Sequence, residues 1–107
     1  MPISTYSVVT THTRLNAEIP FYIMGQEYRT VLENAISEMG ERMISSRVLA
    51  IDNSQIIQWI FVDEAAYAEF QSKLNSNETY VTARAGQLAH NSNCGITTTT
   101  QVGIGAG

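Results

Sequence analysis

Between Gly25 and Gly40 the apolar positions Tyr28, Val31, Leu32, Ala35, Ile36 and Met39 recur at intervals of three and four, while Glu27, Glu33, Asn34, Ser37 and Glu38 fall elsewhere. That spacing draws one stripe along an α-helix, and it predicts a helix opening at Gly25 and stopping at Gly40. Other stretches carry a different signal. Residues 4 to 12 are almost all β-branched, aromatic or small hydroxyl residues, which suit a pleated strand better than a helix. Residues 44 to 51 end in Val48, Leu49, Ala50 and Ile51, and Asp52-Asn53-Ser54 supplies residues that tolerate a tight turn, so a hairpin is predicted. The returning strand, Gln55 to Val62, places Ile57, Trp59 and Phe61 on one face and Ile56, Ile60 and Val62 on the other, with Gln58 as its one interior polar residue.

Beyond the hairpin, Asp63 stands where an N-cap carboxylate belongs, followed by Ala66, Tyr67, Phe70 and Leu74 at helical spacing. A second helix start is read at Asn75 with Glu78 three residues on, leading a narrow apolar stripe of Val81, Ala85, Leu88 and Ala89 that ends near Asn91. Gly86 weakens this helix without breaking it. Residues 95 to 104 form a last strand with Ile96, Val102 and Ile104 on one face. The order β-α-β-β-α-α-β over residues 1–107, without repeats or linkers, is the plan of a single α+β ferredoxin-like domain with a four-stranded antiparallel sheet.

Helices in so short a chain cover one face of that sheet, yet the third strand is apolar on both. Leaving the second face wet exposes large side chains each worth about 1.5 to 3 kcal/mol on burial, and such patches mark interfaces. A face-to-face homodimer is therefore expected.

Charge narrows the partners. Ten acidic residues against six basic ones give a net charge of -4. The basic residues Arg14, Arg29, Arg42, Arg47, Lys73 and Arg84 are scattered, which disfavours nucleic acid and anionic membrane as partners. No apolar run reaches the ~20 residues needed to span a bilayer, and no leader is read at the N-terminus, so a cytoplasmic location is the default. The lone Cys94 excludes an internal disulfide, and no Cys/His spacing points to a metal.

The succession of strand, long helix and hairpin, the segment from Trp59 to Phe70 (WIFVDEAAYAEF), then a further helix and closing strand resembles the dimeric α/β-barrel proteins, in particular the antibiotic-biosynthesis-monooxygenase group. The resemblance covers about residues 4 to 104. It implies a pocket between sheet and helices. It also implies a range of roles, among them cofactor-free oxygenases, haem-degrading enzymes, isomerases and proteins without an assigned role. Haem-degrading relatives use a histidine on the helix after strand three and an asparagine on strand one. Residues 63–74 hold no histidine and residues 4–12 no asparagine, so that site does not carry over, and no cofactor is expected.

Candidate chemistry is sparse. His12, closing strand one, is either a general base near neutral pH or a solvent-facing residue at a strand end. Trp59, the only tryptophan, either stacks on a flat ligand or fills core. Tyr6 and Tyr22 offer phenols nearby. His90 is a ligand contact if its helix folds over the pocket, and otherwise an exposed helix-end imidazole. Ser7, Thr11, Thr97, Thr99 and Gln101 would share one face if the first and last strands are neighbours. Serine-nucleophile and metal-binding His-Glu motifs are absent. Two functions follow: a binder of a small aromatic or apolar molecule, up to a cofactor-independent monooxygenase-like enzyme, or a non-catalytic homodimeric binding or scaffold protein.

Overall fold

A computed structural model describes residues 4–23 and 25–106. The elements run β1 (Ser4–Thr13), α1 (Gln26–Met39), a 3-10 turn at Gly40–Arg42, β2 (Met43–Ile51), β3 (Ser54–Phe61), α2 (Glu64–Asn75), α3 (Glu78–Cys94) and β4 (Thr97–Ala106). The sheet is antiparallel in the order β2-β3-β1-β4, so the strand carrying Trp59 is interior. This is the predicted ferredoxin-like α+β plan.

Local chemistry explains most boundaries. Asp52 turns the β2–β3 hairpin at φ 51°, a left-handed conformation that Asp tolerates. The Asp63 carboxylate accepts from Ala66 N–H at 2.8 Å and starts α2. At the next helix the expectation is corrected: Asn77, not Asn75, is the N-cap, with its side chain accepting from Tyr80 N–H at 3.3 Å. Asn75 instead closes α2. Helix α3 also continues past Asn91 to Cys94, where Gly95 at φ 70° returns its N–H to the Asn91 carbonyl.

The expected stripe of α1 faces inward, with Ala35 and Met39 buried and Tyr28, Val31, Leu32 and Ile36 packed on the core. Phe61, Phe70 and Leu74 form the centre of that core at 0 to 1% exposure. Helix α3 overturns the pattern. Its apolar residues Val81 and Leu88 are 47% and 56% exposed, and its inward positions are Tyr80, Gln87 and Asn91. Tyr80, Arg84, Gln87 and Asn91 fall at i, i+4, i+7 and i+11, the same helical period written in polar residues.

Among the described residues, no helix covers the far face of the sheet. Cross-strand register puts Ile56 beside Leu49 and Ile60 beside Ser45 on that face, together with Val9 and Ile51. Leu49 and Ile51 are 40% and 54% exposed. The expected hydroxyl row of Ser7, Thr11, Thr97, Thr99 and Gln101 also lies on this face, since Thr11 pairs with Thr99 and Val9 with Gln101. Val102 lies on the opposite, helix-covered face, while the Ile104 side chain falls outside the described part of the structure.

Candidate functional site

Between the sheet and the helices lies a cavity of about 650 Å³. Its floor is three rungs of the sheet: His12, Gln55 and Thr98 at one end, then Thr10, Ile57, Val48 and Thr100, then Val8, Trp59 and Ser46. Its roof comes from Tyr28 and Leu32 of α1, from Tyr80, Arg84 and Gln87 of α3, and from Phe21, Tyr22 and Ile23 of the segment before α1. Three residues of the inverted face of α3, Tyr80, Arg84 and Gln87, thus border the cavity.

His12 is 2% exposed, not a solvent-facing strand end. Its Nδ1 lies 2.8 Å from the Thr98 hydroxyl, which accepts a hydrogen bond from Asn91 Nδ2 at 3.4 Å. Burial, and after it the positive charge of Arg84, lowers the His12 pKa below the ordinary 6.5. The imidazole is therefore neutral at neutral pH, with one ring nitrogen free to accept. Burial pushes Tyr28 up to about 12 and raises Tyr80, so both phenols remain protonated donors. Their rings stack at 5.4 Å.

Trp59 lines the opposite end, its ring meeting Phe70 edge-on at 5.0 Å. Because His12 pairs with Gln55 and Val8 with Trp59, the two candidates sit four residues apart along the strands, about 13 Å of backbone. They address two ends of one cavity. Tyr22 also lines it, while Tyr6 lies outside and packs on the Tyr67 ring at 5.5 Å. His90 is not in the wall. Its Nε2 bonds the Pro20 carbonyl at 2.7 Å and its ring lies 5.7 Å from that of Tyr22, so it fastens the roof segment instead.

Arg14 fastens the same segment from the other side. Its Nη1 donates to the Ile19 carbonyl at 3.1 Å, its Nε to Asn53 Oδ1 at 3.3 Å, and its guanidinium lies 4.8 Å from the Phe21 ring centroid. Gly86 lets Tyr22 approach: a Cβ there would come within 2.5 Å of the phenolic oxygen.

Sequence reasoning passed over Arg84, Gln87, Asn91 and Thr98. The polar stripe of α3 was the signal that could have found the first three. Thr98 was hidden because the β4 hydroxyls singled out, Thr97 and Thr99, point to the other face. Among the described residues no group of three or more His, Cys, Asp or Glu is placed to hold a metal ion, and no helix is long and apolar enough to cross a membrane.

No protein-family model matches the sequence, and no curated protein matches it. Solved structures do match in shape. A dimeric ferredoxin-like protein from an uncultured marine organism aligns with a TM-score of 0.61 at 8% identity, over 94% of this chain and 88% of that one. A putative antibiotic biosynthesis monooxygenase from Nitrosomonas europaea gives 0.56 at 13% identity, over 100% and 92%. A NIPSNAP family protein of unknown function from Agrobacterium tumefaciens gives 0.53 at 18% identity, over 95% and 88%. With its four-stranded antiparallel sheet under three helices, the chain has the ferredoxin-like α+β fold seen in these NIPSNAP-family and antibiotic-biosynthesis-monooxygenase-like structures.

Proposed function

We propose that residues 1–107 act as one domain that binds a flat, largely apolar small molecule between sheet and helices, with His12 as a general base at the polar end. The observation that carries this reading is the buried polar face of α3 turned toward a cavity with a neutral histidine. Buried polar groups are costly unless they are satisfied, and a chain gains nothing from them as packing. His12 Nδ1 lies 2.8 Å from Thr98 Oγ1. In the tautomer this reading requires, Nδ1–H donates to Thr98 and Nε2 offers its lone pair to an acidic O–H or C–H of the ligand, with Trp59 and Ile57 supplying apolar surface for its rings.

The structural likeness to a putative antibiotic biosynthesis monooxygenase favours an oxygenation for the turnover, and we write it without a cofactor. In that reaction His12 removes a proton from an activated C–H, the resulting carbanion reduces dioxygen, and a CH2 becomes C=O with the second oxygen atom leaving as water. The test is a panel of quinones, hydroquinones and polyphenols followed by Trp59 fluorescence and by oxygen uptake. The expected outcome is a saturable change in emission, one O2 consumed per substrate, and a loss of turnover of about 10²- to 10⁴-fold in H12Q with binding retained. Saturable binding without turnover for every compound overturns the enzyme and leaves the binder.

The non-catalytic alternative shares one feature with this reading, a homodimer formed through the open face. Val9, Leu49, Ile51, Ile56 and Ile60 lie there, with no helix over them among the described residues. Sedimentation should give twice the chain mass for the native protein and the single-chain mass for I60E. A native protein that sediments as a monomer at high concentration rejects the dimer.

A further inference from the structure

We propose that the cavity is built for an aromatic carboxylate, whose charge is taken by the Arg84 guanidinium while its rings lie along Ile57 toward Trp59. This deepens the small-molecule reading above and rests on it.

The chain as a whole is acidic, with 10 Asp and Glu against 6 Lys and Arg. The cavity wall inverts that balance: it contains Arg29 and Arg84 and no aspartate or glutamate. Two cations outside the cavity meet carboxylates, Arg42 at Glu69 and Lys73 at Glu38, while Arg14 is taken up by the Ile19 carbonyl, Asn53 and the Phe21 ring. The hydrogen bond of Arg84 goes to a neutral group, the Gln87 Oε1 at 2.7 Å, and Gln87 is 7% exposed. Its positive charge is thus held at the wall by an uncharged partner, with donors left to offer.

A guanidinium in this setting favours a planar anion, because two parallel N–H groups match the two oxygens of a carboxylate. Tyr28 and Tyr80 add protonated phenols on the same side of the cavity. The apolar rungs of Ile57 and Trp59 leave room beyond the charge for fused rings, since about 13 Å of strand separates the His12 and Trp59 rungs. Neutral His12 also lies in the field of Arg84, so a ligand anion there meets no opposing carboxylate from the protein.

The experiment compares 2-naphthoate with 2-naphthamide, the same ring with and without charge, by calorimetry at pH 7.5 and low salt. Native protein, R84Q and R84K are titrated, with circular dichroism checking that each variant is folded. The native chain should bind naphthoate at least about tenfold more tightly than naphthamide, as a charge-assisted bidentate contact implies. R84Q should erase that preference by weakening naphthoate alone, and R84K should restore part of it. Equal affinities in the native protein, unchanged in R84Q, overturn the anion assignment and leave the small-molecule reading standing. Failure of both compounds to bind at millimolar concentration overturns both.

Discussion

The space between sheet and helices has two ends that differ in almost everything but their backbone. At one end Phe61, Phe70, Leu74 and Met39 close on one another at 0 to 1% exposure. At the other, on the same face of the same strands, His12, Gln55 and Thr98 look across a gap at Gln87 and Arg84. The first end stabilises the fold by removing apolar surface from water. The second end contributes less packing and leaves a hollow lined by groups that hydrogen-bond. The contrast shows that a fold of this size keeps its stability in one half of its interior, leaving the other half free for chemistry.

Substitutions at the two ends should separate these roles. Leu74→Ala, at the dry end and away from the cavity wall, is expected to cost about 2 to 5 kcal/mol in urea unfolding while leaving ligand affinity unchanged. A parallel loss of affinity would mean that the two ends are coupled. Thr98→Val, at the hollow end, removes the partner of both His12 and Asn91 and is expected to cost about 1 to 3 kcal/mol.

Acid should act at the same hollow end. The folded chain holds His12 below the 6.5 of the unfolded chain, so the unfolded state binds more protons between the two values. The contribution of His12 is thus fully present above pH 6.5, lost as pH falls below it toward the folded value, and constant beneath that. H12Q should flatten this part of the stability profile. An unchanged profile would show that His12 does not titrate differently in the two states.

Asp63→Ala, which touches neither end, should cost about 1 kcal/mol through the lost α2 cap, readable as a lower urea midpoint. The smallest effect on stability is expected from Gly86→Ala, where a gain in helix propensity of up to about 1 kcal/mol offsets the displacement of Tyr22. Its signature is instead weaker ligand binding with an unaltered melting transition, because the roof must shift away from α3.

How much of this was legible in the chain depended on the end in question. The dry end could be read: the α1 stripe, Phe70 and Leu74 on α2, and the two faces of β3 follow from apolar periodicity. The hollow end could not. Periodicity assumes that an inward face is apolar, and so it pointed to Val81 and Leu88 on α3, which face out. His12 had no sign of burial in its neighbourhood because Thr98 stands 86 residues away.

The sequence by itself determined the element order, the hairpin at Asp52, the Asp63 cap and the surplus of apolar surface on β3, because each rests on residues close together in the chain. Only the tertiary structure decided that β4 lies beside β1, that a polar helix face closes over His12, and that Arg84 and Trp59 share one cavity. Those relations join residues far apart in sequence, and the packing of layers, not local preference, fixes which side chains meet.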